Sequence, residues 1–363
     1  FRRPSVTHPF PRSSMRSLRS SLLVCSLLVS SLGLAACGSD EDESSTTPQA
    51  SGGDVELTVY SGRDEELVAP LLDRFEKAEG IKLKVRYGDS AELAATIREE
   101  GDRSPADVYF GQDAGALGAL AKGGALAELP QATLDRVEPG QRSASGHWVG
   151  TSGRVRVMAY DKRELQPSDL PDSVFGLTDD RWKGKVGWAP TNASFQAFVT
   201  AMRKLHGEDR TAKWLEDMKS NDAQAYDKNG LIRDAVAAGE IQVGLINHYY
   251  VAQKLAEEKD PDAYPVALHF PRGDVGSLIN VAGAGVLASS EHQEQARKLV
   301  DFLLGKEAQE YFRSETAEYP LSAGVEALDA LPALEDIPQP DMDLSDIDDL
   351  EGTLQLLERT GVL

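Results

Sequence analysis

The chain has 363 residues, with 59 acidic against 38 basic side chains and a formal net charge of −21. An acidic surface of this kind repels nucleic acid and lacks the basic patch that phosphate backbones need, so no nucleic-acid partner is expected. The two cysteines, Cys25 and Cys37, offer no disulfide framework, and stability must come from burial.

Phe1 to Ser14 contain neither a methionine nor an acidic residue, and Met15 is the expected translation start. From Met15 the pattern is basic (Arg16, Arg19), then apolar with interspersed serines from Leu22 to Leu34, then Leu34-Ala-Ala-Cys37. Residues 15–36 are therefore expected to be a secretory signal peptide with a small-residue cleavage site, too short to span a bilayer. A cysteine directly after Leu-Ala-Ala resembles a bacterial lipobox, which implies diacylglyceryl attachment to Cys37. The protein would then sit on the outer face of the cytoplasmic membrane, touching lipid only through that cysteine. Residues 37–53 are polar and small and form a solvated tether. Removing the signal leaves 33 basic against 59 acidic residues, a net charge of −26, on a mature chain of 327 residues. That length exceeds what one core usually organises, so two lobes are expected.

Leu57 to Tyr60 alternates as a strand, and Asp64 is placed to cap a helix carrying Leu67, Val68, Leu71, Leu72 and Phe75, ended by Gly80. A second strand (Ile81 to Tyr87), a helix (Ala91 to Glu100) and a third strand (Ser104 to Phe110) follow. This alternation argues for an α/β fold in which mainly parallel sheets are flanked by helices. Past a polar region, Trp148 to Tyr160 is one long extended stretch, able to pass from one lobe to the other. Val186 to Ala189 reads as a strand, Pro190 to Phe195 as a polar corner and Phe195 to Leu205 as an apolar helix. Asn229 is expected to cap the helix Leu231 to Ala238, and Ile241 to Ile246 is a buried strand. Asn247 is then expected to cap a helix that begins with Tyr249 and Tyr250. Gly276 to Gly283 suits a return crossing, and Leu354 to Leu357 suggests a last helix.

The two adjacent tyrosines lie at a strand-to-helix corner, outside the carboxyl end of a strand, where open α/β sheets bind ligands. They read either as amphipathic residues covering a helix start or as donors to a hard metal ion. Neighbours in a first helical turn point about 100° apart, so two phenols reach one ion only if it lies off the helix axis. The catalytic inventory is thin: there is no His-Glu-x-x-His, Cys-x-x-Cys, Gly-x-Ser-x-Gly or Walker lysine loop, and no enzyme is expected. The histidines are scattered, and His248 stands out only because it precedes the tyrosines.

Val59-Tyr-Ser-Gly-Arg63, Arg103-Ser-Pro-Ala-Asp-Val108, Ser152-Gly-Arg-Val-Arg156, Leu245-Ile-Asn-His-Tyr-Tyr250 and Ala317-Glu-Tyr-Pro-Leu321, in that order, resemble the ferric-iron-binding proteins of bacterial ABC importers, the bacterial transferrins. The resemblance runs from about Leu57 to the C-terminus. It implies a two-lobe type II periplasmic-binding fold with two crossover strands, lobe 1 comprising 54–153 and 281–329 and lobe 2 comprising 154–280 and 330–363. It implies Fe(III) as transported ligand on Tyr249 and Tyr250, with a synergistic carbonate or phosphate held by Asn192, Ala193, Ser194, Asn229, Asn247 and Arg154. It further implies delivery by a monomeric receptor to an iron ABC permease and its ATPase. Helix N-termini, with free N–H groups and a positive dipole end, would make such an anion site without lysine.

The chain departs from the family at three ligand positions: Asp64 replaces a histidine, Gln112 a glutamate and Phe195 a tyrosine. Asp64 is open to two readings, a hard carboxylate ligand or a helix cap. Two other functions stay open, an importer's binding protein for a different inorganic anion or polyamine with the tyrosines as cleft walls, and a secreted hydrolase.

Overall fold

The computed structural model describes residues 55–272 and 274–363; the signal peptide, Cys37 and the tether lie outside them. The chain opens with β1 (Glu56–Ser61), α1 (Glu65–Glu79), β2 (Lys82–Tyr87), α2 (Ser90–Glu100), β3 (Val108–Gly111) and α3 (Ala114–Lys122). Gly80 ends α1 at φ 68°, a conformation that side chains resist. β1 pairs in parallel with both β2 and β3, as strands joined by intervening helices do. A single turn, α4 (Gln131–Leu134), precedes β4 (Val149–Asp161), whose thirteen residues are all buried.

The second half begins with β5 (Val186–Trp188), α5 (Ala193–His206), α6 (Glu208–Ser220), β6 (Gln224–Ala225) and α7 (Asn229–Ala238). β7 (Val243–Asn247), α8 (Tyr249–Glu257), β8 (Val266–His269) and β9 (Ile279–Val286) follow. α9 (Gln293–Leu303), α10 (Lys306–Ser314), β10 (Tyr319–Pro320) and α11 (Leu350–Arg359) complete it.

β4 joins the two sheets. From Val149 to Val155 it pairs antiparallel with β9, which continues onto β3; from Arg156 it pairs with β7, and from Met158 with β8 as well. The strand order is β2-β1-β3-β9-β4-β7-β5-β6, so the sheet partner changes at Val155/Arg156. The expected long crossover strand is therefore present. The return differs from expectation: Val275–Ser277 is a short 3₁₀ turn, because Asp274 accepts the Gly276 N–H at 2.6 Å, and extended pairing begins only at Ile279.

The C-terminal segment touches helices from both sheets. Lys122 at the end of α3 reaches Asp346 (3.1 Å) and Asp348 (3.0 Å), while Arg203 on α5 reaches Asp349 (2.9 Å). This contact depends on Gly118, where a Cβ would come within 2.5 Å of the Ser345 carbonyl oxygen. Gly118→Ala is expected to destabilise the protein by about 1–3 kcal/mol through overpacking, measured by chemical denaturation. Among the described residues no helix is long and apolar enough to cross a membrane.

Candidate metal centre

β7 ends at Asn247 and α8 begins at Tyr249, with His248 between them at helical φ −56° and ψ −39°. Asn247 thus closes the strand and does not cap the helix, contrary to expectation. His248 explains why. It is fully buried, its Nδ1 accepts the Val155 N–H at 3.0 Å, and its Nε2 lies 3.0 Å from the Ala317 carbonyl oxygen and so must donate to it. Burial pulls its pKa down to about 4, so the ring is neutral with both nitrogens committed. It braces the corner and has no lone pair for a metal.

The brace presents the tyrosines side by side. Their rings stack with centroids 4.3 Å apart and planes 28° apart, much closer to parallel than the divergence of adjacent side chains on an ideal helix suggests. Both line one cavity of about 300 Å³. Tyr249 is buried, and burial first, then its neighbour Tyr250, raises its phenol pKa well above 10, with Arg154 pulling the other way. Among the described residues no group of three or more His, Cys, Asp or Glu side chains is arranged to hold a metal ion, so the phenols are the distinctive donors.

The starts of five helices, α1, α2, α3, α5 and α8, reach the same cavity through Asp64, Asp89, Asp113, Asn192 and Tyr249. Their free N–H groups and dipoles favour negative charge there. Asp89 and Asp113 spend their carboxylates on the N–H groups of their own helices. Asp64 occupies the cap position of α1, yet its carboxylate accepts no N–H of that helix. The expected capping bond is absent, and Asp64 is one of the residues that line the cavity. Gln112 also lines it, and its buried Oε1 has no partner.

Asn192 does cap α5: its Oδ1 accepts the Ser194 N–H (3.1 Å) and the Ser194 hydroxyl (2.6 Å). Ala193 and Ser194 line the cavity beside it. Asn229 is the first residue of α7 rather than its cap, and its Nδ2 donates to Asn192 Oδ1 (3.2 Å) and Ser194 Oγ (3.1 Å). It ties down the Asn192–Ser194 corner and is not among the residues that line the cavity. Phe195 is buried against Trp188 and Phe198, which places it in the core and not among the donors.

Below the tyrosines lies a buried charge cluster. Arg63 grips Glu318 with two bonds (2.9 and 2.8 Å), and Glu318 also accepts from Ser152 and Thr316. Arg154 Nε stands 3.9 Å from the same carboxylate. Burial opposes ionisation of Glu318, but the two guanidiniums outweigh it and hold its pKa below the ordinary 4.5. Arg154, 2% exposed, keeps Nε and Nη2 without a hydrogen-bond partner. Burial lowers its pKa, against the pull of Glu318.

Glu318, Arg156 and Asn280 were missed as site residues by the reading of the sequence. Arg154 and Arg156 alternate with apolar residues in a stretch correctly read as extended, so period two puts both on one face; that signal was available. Asn280 and Glu318 come from far along the chain, and nothing local marks them.

Two mixed sheets joined by shared extended strands, with a donor-lined cavity ringed by helix N-termini where the sheet partner changes, define a two-lobe periplasmic-type binding protein rather than an enzyme. A family profile described as bacterial extracellular solute-binding protein matches residues 103–348, and the chain belongs to that family. Similar to it are the major ferric iron-binding protein of Neisseria meningitidis, 37% identical over 310 residues (85% of this chain, 93% of that one), and the Fe(3+)-binding periplasmic protein of Serratia marcescens, 34% identical over 338 residues (93% and 99%). Among solved structures, iron-bound HitA from Pseudomonas aeruginosa superposes with a TM-score of 0.77 at 35% identity, covering 85% of this chain and 99% of that one.

Proposed function

We propose that this protein is an extracytoplasmic receptor that closes two lobes, divided near residues 153/154 and 280/281, around Fe(III) and a small oxyanion. It then delivers the iron to an ABC permease driven by its ATPase. Cys37 carries the lipid that keeps the receptor at the outer face of the cytoplasmic membrane. The ferric relatives support the cargo, and the observation that carries the reading is the stacked Tyr249–Tyr250 pair lining a cavity shared with Asp64, whose carboxylate makes no capping bond, and with Arg154, whose buried Nε and Nη2 have no hydrogen-bond partner.

Two phenolates and the Asp64 carboxylate formally neutralise Fe(III), and all are hard oxygen donors suited to a hard cation. The anion, carbonate or phosphate, supplies further oxygens from its seat at Asn192, Ala193 and Ser194, with its charge facing Arg154. Asn229, bonded to Asn192 and Ser194, holds that corner in shape. A polyamine is disfavoured, since buried arginines would repel it.

Ferric loading of the purified protein in carbonate or phosphate is expected to produce a visible phenolate-to-iron charge-transfer band. A colourless, non-binding protein under those conditions would refute the assignment. Asp64→Ala separates ligand from cap. A working cap is worth about 1 kcal/mol, so an unchanged melting temperature with weakened ferric binding is the expected result, and a lowered melting temperature with intact binding is the contrary one.

A further inference from the structure

The helix that carries the tyrosines is held from behind by one buried turn. Thr316, Ala317 and Glu318 lie between α10 and β10, and each is 3% exposed or less. Two successive carbonyls of this turn receive side chains from α8 and the residue before it. The Thr316 oxygen accepts the Gln253 amide at 3.2 Å, and the Ala317 oxygen accepts His248 Nε2 at 3.0 Å. The Glu318 carboxylate is used elsewhere, accepting from Arg63 (2.9 and 2.8 Å) and Ser152 (2.9 Å). Arg63 precedes Asp64, so the turn is bonded to both walls that bring oxygen donors to the cavity: α8 with its phenols, and the β1–α1 corner with its carboxylate.

The backbone of the turn is constrained. Two non-glycine residues among the described ones have positive φ, Asp222 and Ala317, both at 54°. Asp222 is exposed and of a type that visits this region readily, whereas Ala317 is buried and has no polar side chain to ease it. The dihedral angles of Ala317 set the relative direction of the carbonyls on either side of it. Extended backbone sends successive carbonyls to opposite sides, while a helical twist of either hand sends them the same way. The left-handed residue thus lets both carbonyls reach α8, and strain kept in a buried turn points to a functional constraint.

The turn also spans the junction of the two sheets. β10 pairs with Ser152 and Gly153 of β4, before the change of partner, whereas β7, which leads into α8, pairs with β4 from Arg156 onward. Gln253 lies one helical turn beyond Tyr249 on the same side of α8 and is not among the residues that line the cavity. It reaches the site only through the helix.

We propose that the Thr316–Glu318 turn is a latch that fixes α8 against the other sheet, and that Gln253 is a positioning residue for the metal site, setting the tilt of the tyrosine helix from outside the cavity. His248 pins the start of the helix and Gln253 its second turn. One bond alone leaves α8 free to swivel about it; two do not. The role given to the tyrosines rests on the ferric reading above.

Gln253→Met removes the amide donor and keeps the side-chain length, and Gln253→Lys returns a donor to the Thr316 carbonyl. Gln253→Met is expected to lower ferric affinity about three- to tenfold, the worth of one hydrogen bond, and to move the wavelength of the charge-transfer band without abolishing it. Gln253→Lys should recover most of both. A bond that serves folding alone would lower the melting temperature and leave ferric affinity and band at their wild-type values, and that result overturns the proposal. Hydrogen exchange of the metal-free protein supplies an arm that needs no iron. Gln253→Met is expected to raise amide exchange in residues 249–253 and 316–319 together, and unchanged exchange in both segments also overturns the proposal. If the wild type shows no ferric band, the iron reading falls and the exchange arm decides the latch by itself.

Discussion

Tyr249→Phe and Tyr250→Phe are each expected to abolish the ferric charge-transfer band and to lower ferric affinity by more than about a hundredfold. The floor comes from comparison: residues that merely orient a metal ligand cost about 10- to 100-fold when mutated, and here a bonded phenolate is lost. Phenylalanine keeps the stacked ring and removes only the oxygen, so folding should be preserved, as the melting temperature of the metal-free variants will check. The pH dependence follows from the same chemistry. Phenols are ordinarily protonated at neutral pH, and burial against Tyr250 holds the Tyr249 proton more tightly still. Two phenolates formed on binding release two protons, so apparent ferric affinity should fall by about two decades per pH unit on acidification. Competitive titration against a chelator between pH 8 and 5 measures the slope. A slope near zero would show that the phenols stay protonated and do not bind the ion.

Glu318→Gln is expected to be the most destabilising single change near the site. It removes the charge that compensates Arg63 and Arg154 while leaving both buried. Breaking a buried ion pair from one side costs about 3–5 kcal/mol, which for a protein of this size lowers the melting temperature by roughly 10 °C. The sign of the pH effect is set by the depressed folded-state pKa of Glu318. Its stabilisation is fully present above the ordinary carboxylate value and is lost as pH falls through the lower folded-state value, so wild type and variant should converge in stability in acid. Because Ser152 and Thr316 also bond Glu318, the loss should loosen the Ala317 loop against which His248 braces the tyrosine corner. Ferric binding is therefore expected to weaken alongside stability, and a variant as stable as wild type would contradict the account.

Much of the architecture was legible along the chain because it depends on local periodicity. The alternation at Leu57 to Tyr60, the helical spacing from Leu67 to Phe75 and the long apolar extension from Trp148 to Tyr160 each reflect a face that must be buried, and each became the corresponding element. Capping was less legible. Asp64, Asn229 and Asn247 have the right chemistry just before or at helix starts, yet none of the three makes the capping bond that Asn192 makes on α5. A cap side chain chooses between its own helix and any competing partner, and Asn229 found its partners on another helix.

The sequence by itself determined the succession of strands and helices, the overwhelming acidity and the adjacency of two phenols at a strand-to-helix corner, since these follow from neighbours along the backbone. Only the tertiary structure decided that the phenols stack into one cavity, that His248 is spent on bracing them, and that Arg154 and Arg156 meet Asn280 and Asn247 across a ladder. Those relations join residues up to more than a hundred positions apart, and they arise from sheet register and from the cost of burying charge, neither of which any local stretch of chain records.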